Sequence, residues 1–365
     1  MVLFSTTKVN GITTQMSENP KALKLFSPLR IGLTIFIGLA VASYLVYKEY
    51  DPKSFENLSW SWTATLWIAV AVLMIAIRDF AYMVRIRILT DNKISWRNSF
   101  DTIMLWEFAS AITPSVVGGS GVAIYIVNKE GVRLGRSTAV VLSSAFLDEL
   151  FYILMVPTII AAVGISNLFP EGMDKEIFGV LWGTKDLFIL GYCFILFLTS
   201  FICYAIFFQP RGFKWLLLKV FNLPFLRKWR IQASETGDEI MVTSKELRHK
   251  PFSFWIKAFG ATFASWTARF WVVNFIILAF TAVDSHLLIY ARQLVMWVIL
   301  LISPTPGGTG VAEFAFSGFL SLFIPFGLAG TLAFIWRLIS YYPYLFIGAI
   351  ILPRWIKRTH SAKKP

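Results

Sequence analysis

Six stretches of about twenty mostly apolar residues, at 29–47, 63–84, 138–163, 187–208, 254–283 and 328–352, constrain this chain most. A helix needs about 20 apolar residues to cross the hydrocarbon core of a bilayer. Only 15% of the residues are charged, against roughly 25% in soluble domains. The charges lie mostly between the apolar runs, and mean hydropathy is +0.65. The expected fold class is therefore an all-α polytopic membrane protein with about six spanning helices. The net charge of +13 reads as membrane-flanking loops, not as a nucleic-acid surface. Cys193 and Cys203 share one apolar run and imply neither a disulfide framework nor a metal site. The N-terminal segment 1–28 is too polar for a cleaved signal peptide, so the run 29–47 is expected to be a retained anchor.

Two further apolar regions, 102–127 and 287–323, are each interrupted by the same short motif. Gly118-Gly119-Ser120-Gly121-Val122-Ala123 recurs as Gly307-Gly308-Thr309-Gly310-Val311-Ala312, 189 residues later, and the same offset carries Asp148 onto Arg337. These regions are expected to be re-entrant helix pairs; the alternative is that one or both cross once. Basic residues orient the chain. With the N-terminus inside and only the six runs crossing, 26 of the 34 lysines and arginines fall on the cytoplasmic side. Only Lys48, Lys53, Lys175 and Lys185 fall outside, and Arg78, Arg269, Arg292 and Arg337 lie in apolar runs. Both termini are then cytoplasmic, in an inner (cell) membrane. Three spans separate the broken regions, so the two would enter from opposite faces, as in the inverted-topology repeat of many secondary transporters. The repeat elements are 102–160 and 287–352, within one transmembrane domain at 29–352. A basic, aromatic insertion at 209–253 reads as an interfacial amphipathic helix or an ordinary cytoplasmic loop, and a basic tail follows at 353–365.

Charged side chains inside a span cost several kcal/mol unless paired or wetted, so each is a functional candidate. The set is Arg78, Asp79, Glu107, Asp148, Glu149, Arg269, Arg292, Glu313 and Arg337. Arg78 and Asp79 are expected to snorkel or pair locally, and Arg292 to reach the interface. Asp148 is preferred over its neighbour Glu149, because adjacent helical residues point about 100° apart and cannot both face one cavity squarely. Arg269 and Arg337 are deep. Arg337 is expected to hold the phosphate of a ligand, the alternative being an ion pair with Asp148 or Glu313. In the second motif, Pro304-Thr305-Pro306 ends a helix, Gly307, Gly308 and Gly310 permit a tight turn, and Val311 begins a new helix whose free amides attract an anion. Thr309, and Ser120 in the first half, are placed to cap that helix or touch a ligand. The substrate-binding set is thus Gly118, Gly119, Ser120, Gly121, Asp148, Arg269, Gly307, Gly308, Thr309, Gly310, Glu313 and Arg337. No nucleophile elbow, phosphate-loop lysine motif or His-Glu-x-x-His site occurs, and His249, His286 and His360 fall in loops or the tail. No cofactor or metal is expected.

The stretch Pro304-Thr305-Pro306-Gly307-Gly308-Thr309-Gly310-Val311-Ala312-Glu313, with Arg337, Tyr342-Pro343 and Gly348, resembles the lysylphosphatidylglycerol synthase transmembrane family, also called the flippase-like domain family. Thr113-Pro114 and Gly118-Gly119 fit the same pattern, with Ser120 where many members carry an acidic or amide residue. The soluble aminoacyl-transferring domain of full-length synthases is not in the sequence. The resemblance implies a flippase or lipid-binding module rather than a lysyl transferase. The leading expectation is a transporter that moves a lipid with an anionic or phosphorylated headgroup between leaflets by alternating access, with membrane lipids as partners. The rivals are a membrane-embedded enzyme or enzyme partner acting on lipids or polyprenyl-phosphate glycans, and a scaffold recruiting a cytoplasmic lipid enzyme through 209–253.

Overall fold

The computed structural model describes residues 47, 60–113, 115–170, 175–177, 180–223, 227–301, 305, 308 and 310–361. The segment 1–28, nearly all of the first apolar run, Gly307 and Thr309 lie outside the described residues. Within them the protein is helical, apart from a hairpin of two short strands, β1 (Lys175–Ile177) and β2 (Val180–Trp182). The other five long apolar runs are all helices of spanning length: α1 (Trp62–Leu89), α4 (Leu134–Val163), α5 (Thr184–Cys203, extended by a wide turn to Phe208), α8 (Phe252–Leu278) and the pair α11 (Ala329–Ser340) and α12 (Tyr342–Ser361). Between them lie the short apolar helices α2 (Trp96–Ile112), α3 (Ser115–Lys129), α9 (His286–Leu300) and α10 (Val311–Leu320), and the polar insertion α6 (Pro210–Val220) and α7 (Arg230–Arg248).

Local chemistry sets the breaks. Ser61 caps α1 by accepting from the Ala64 amide at 3.0 Å, and Ser95 caps α2 by accepting from the Asn98 amide at 3.2 Å. Between these helices Asp91 and Asn92 take left-handed φ of 53° and 58°, which these short polar residues tolerate best after glycine. Thr113 is extended, as the residue before a proline tends to be, and this separates α2 from α3. Tyr341 leaves the helical region between α11 and α12, two residues before Pro343. The last apolar run is therefore two helices meeting partway along. Its basic end is helical through Ser361, where Arg358 bonds Asn98 (2.9 Å) and Asp101 (2.8 Å) and also contacts Glu130.

Helix α8 is the centre of the molecule. More than half of its apolar stretch is buried, it packs along α1, and it also touches α4, α9 and α11. Leu66, Leu73, Phe197, Phe346 and Ile350 point outward and are 54–68% exposed, an apolar surface suited to lipid. The insertion is not a solvated loop. Glu239 of α7 accepts from the Gly135 amide at the start of α4 (2.7 Å), and Arg136 bridges Glu246 (2.8 Å) to Asp91 (2.5 Å). Burial by itself would raise the Asp91 carboxyl, but bonds and charge from Lys250 and Arg136 hold it below the ordinary carboxylate value.

Candidate functional site

Five of the nine charged residues in the apolar runs line one interior cavity of about 270 Å³: Glu107 on α2, Asp148 and Glu149 on α4, Arg269 on α8 and Arg337 on α11. Ser120 of α3, Thr305, Gly308 and Ala312 complete the wall from the two motif regions, so both glycine motifs reach the same space. The expectation that Asp148 and Glu149 could not both face a cavity is corrected. A wall formed from several helices is wide enough for side chains about 100° apart to reach it from one helix.

Of the two carboxylates weighed as partners of Arg337, Glu313 is the one that pairs with it. Arg337 and Glu313 form a buried pair, Nε to Oε1 at 2.6 Å, with side chains 4% and 1% exposed. Glu313 Oε2 also accepts from the Gly310 amide at 2.7 Å, so its carboxylate takes one of the amides that would otherwise attract an anion. Arg337 further faces the Tyr341 ring at 4.4 Å. Asp148, the repeat partner of Arg337, is instead held by Arg85, which donates to both its oxygens (2.5 and 3.0 Å), and by Trp266 Nε1 at 2.7 Å. The sequence places Arg85 with the cytoplasmic loops, whereas it is buried at 5% exposure near the end of α1. Its apolar stem extends the hydrophobic run, and no sequence signal separates it from the nearby Arg87.

Arg78 does not snorkel. At 1% exposure it binds Asp79 (2.9 Å), Glu107 and the Tyr344 hydroxyl, while Tyr344 donates to Asp79 at 2.9 Å. Arg292 likewise stays inside, donating to the backbone carbonyls of Asn167 and Phe319 at 3.0 Å each, so it ties α9 to the ends of α4 and α10. Buried guanidinium groups are tolerated here because carboxylates and carbonyls converge on their donors. Arg269 is different. Its guanidinium lies 4.9 Å from the rings of both Trp266 and Trp297, its nearest carboxylate is Glu107 at 3.6 Å, and it makes no hydrogen bond among the described residues.

The two motifs have different backbones. Gly118 to Gly121 run inside α3, and a Cβ at Gly119 would collide with Ser110 Oγ on α2, so this glycine permits close helix packing. The first motif therefore does not interrupt its apolar region as expected, and Ser120 caps no helix: α3 already starts at Ser115. In the second half Gly308 and Gly310 take φ of 67° and 84°, and α10 starts at Val311 as expected. Thr305 and Gly308 form a turn, with the Gly308 amide donating to the Thr305 carbonyl at 3.0 Å.

A larger hollow of about 810 Å³ lies between the end of α5, the start of α6 and α7, bordered by Arg211, Asp238, Lys245 and Arg248. It is an open surface groove whose charges face solvent, so it lacks the enclosed, convergent polar groups that define a ligand site.

Apolar helices of spanning length around a cavity lined by arginine and carboxylate define a polytopic membrane protein with a polar site among its helices. The chain matches the model of the lysylphosphatidylglycerol synthase TM region over residues 30–348 and belongs to that family. It is also similar to a UPF0104 membrane protein of Archaeoglobus fulgidus, with 26% identity over 329 residues covering 87% of this chain and 94% of the relative.

Proposed function

We propose that this protein moves a lipid with an anionic or phosphorylated headgroup between the leaflets of the cell membrane by alternating access. The observation that carries this reading is Arg269. A guanidinium midway along a spanning helix, held among the described residues by two indole faces and a carboxylate at 3.6 Å, keeps donors for an incoming oxyanion. Arg337, held by Glu313, and Asp148, held by Arg85, line the same cavity, and Ser120 and Gly308 bring the two motifs to it. Gly118, Gly119, Gly121 and Gly310, with Gly307 and Thr309 outside the described residues, complete the proposed binding set. A volume of about 270 Å³ lies just below the usual roughly 300–1,000 Å³ of small-molecule sites, so a headgroup fits and acyl chains remain in lipid.

In this reading α2–α3 and α9–α10 are re-entrant pairs of an inverted repeat. The lengths support it: α3 and α9 have 15 residues and α10 has 10, about 23 and 15 Å against a core of about 30 Å. Both termini and α6–α7 face the cytoplasm, on the basic-residue asymmetry. With Cys193 and Cys203 replaced by serine, a cysteine at exposed Ser166 reacts with an impermeant reagent from outside, and one at exposed Glu235 does not. The reverse labelling pattern removes this orientation.

The function is tested in vesicles reconstituted with the purified chain and a trace of short-chain fluorescent phosphatidylglycerol. The expected result is movement of the anionic probe that Arg269→Gln abolishes while a zwitterionic probe moves little in either case. Equal movement of both probes, or none, contradicts the reading. Glu313 and Asp148, the two deep carboxylates that the enzyme rival would use, are each engaged by an arginine.

A further inference from the structure

Glu149 has no use in the site as described so far. It is 6% exposed, lies inside α4 and lines the cavity, yet its Oε2 is buried with no hydrogen bond, and no ion pair reaches it among the described residues. Its neighbours are otherwise matched. Arg78 serves Asp79 and Glu107, Arg85 serves Asp148, Arg337 serves Glu313, and Arg269 leans toward Glu107. Four arginines thus stand beside five carboxylic acids, and Glu149 is the acid without a cation. The Tyr152 hydroxyl, one turn further along the same helix face, is also buried and without a hydrogen bond. The other titratable or charged groups lining the cavity are Tyr82 of α1, Glu107 of α2, Arg269 of α8, Arg337 of α11, Tyr341 between α11 and α12, and Tyr344 of α12, with Asp148 on α4 itself.

An isolated ionised carboxylate in such a place costs several kcal/mol, and taking up a proton removes that cost. The nearest fixed charge on the same helix is Asp148, a like charge that favours the neutral form further. An anion arriving at Arg269 would add a second negative charge to the same small space.

We propose that Glu149 is a proton-binding site and that its occupancy is coupled to that of an anionic headgroup at Arg269. The coupling, though not the proton site itself, rests on the headgroup reading above. One proton passes from water to a carboxylate oxygen of Glu149 as the headgroup enters, and returns to water when the headgroup leaves. No bond other than this O–H is made or broken. The cavity then gains no net charge when a singly charged lipid binds, and by reciprocity the lipid raises the proton affinity as much as the proton raises the lipid affinity. If the two faces of the membrane are reached alternately, a proton gradient would bias lipid movement.

Two measurements on the full chain test this. Infrared difference spectra of the detergent-solubilised protein, recorded against pH without added lipid, should contain the carbonyl stretch of a protonated carboxylic acid that is absent from Glu149→Gln. Failure to find such a band in the wild type, or its persistence in Glu149→Gln, overturns the proton site. Binding of phosphatidylglycerol to nanodisc-embedded protein should then weaken about tenfold per pH unit above the point where that band disappears, the slope of one linked proton. In Glu149→Gln the affinity should not change with pH over the same range. A flat wild-type profile, or an equal slope in the variant, overturns the coupling while leaving lipid binding intact. Failure of the wild type to bind phosphatidylglycerol at any pH contradicts the headgroup reading and the coupling with it, and the infrared band alone then decides the proton site.

Discussion

Gly118 to Ala123 run through the interior of α3, whereas the matching residues of the second half turn through Gly308 and Gly310 and become helical only at Val311. The local sequence accounts for the difference. Ser115-Val116-Val117 precede the first motif and allow a helix, at a cost of about 1 kcal/mol per glycine that close packing on α2 offsets. Pro304-Thr305-Pro306 precede the second motif and disfavour helix, because prolines lack an amide donor and disfavour the α region in the residue before them. The residues just beyond the two motifs also differ. Glu313 closes the second motif onto Arg337, while the residue at the same offset in the first is the apolar Ile124. Equal glycine patterns therefore do different work: one brings two helices together, and the other bends the chain and fixes a buried charge pair.

This contrast can be broken most severely at the charge pair. Glu313→Ala or Arg337→Ala breaks a buried charge pair, which costs about 3–5 kcal/mol. A double-mutant cycle by thermal unfolding in detergent should give a coupling above about 1 kcal/mol for Arg337 with Glu313, and within about 0.5 kcal/mol of zero for Arg337 with Asp148. A large coupling to Asp148 would restore the pairing across the repeat that the geometry denies. Next in size is Gly119→Val, which drives a side chain into Ser110 and its backbone and should cost about 1–3 kcal/mol. Gly310→Ala should cost about 1–3 kcal/mol for another reason, the strain of φ +84°. Gly121→Ala separates the two mechanisms: nothing lies within 4 Å of the added Cβ inside α3, so it should stabilise by up to about 1 kcal/mol. If Gly121→Ala destabilises as Gly310→Ala does, the first motif is a turn after all.

The smallest expected effect lies far from both motifs. Because Asp91 is held below its ordinary value, its contribution is present above a pH of about 4 and is lost as pH falls through the lowered value. Asp91→Asn should lower stability at neutral pH by at most about 1 kcal/mol, and the deficit should vanish in acid. A deficit that persists there would mean the bonds to Arg136 and Lys250 are not what holds the insertion.

The five described spans are legible in sequence because apolar length alone decides them, and so is the start of α10, which proline and glycine signal locally. The partners of the buried charges are not. Arg85 reads as the first residue of a basic loop, yet its carboxylate is 63 positions away on α4. Arg78 and Arg292 sit near the ends of apolar runs, where reaching water is the ordinary outcome, and only the fold shows Glu107, Tyr344 and two helix-end carbonyls within their reach. Glu149 is a further case. One-dimensional spacing directs it about 100° away from Asp148, but does not show how wide a cavity several helices enclose.

Whether Arg269 receives an anionic headgroup is the central question. Native mass spectrometry of the detergent-released protein, with phosphatidylglycerol and phosphatidylcholine supplied equally, measures this most directly. The wild type should retain phosphatidylglycerol preferentially, and Arg269→Gln should lose at least about tenfold of that preference, the value of one charge-assisted hydrogen bond. An unchanged preference in Arg269→Gln, or no preference in the wild type, would contradict it.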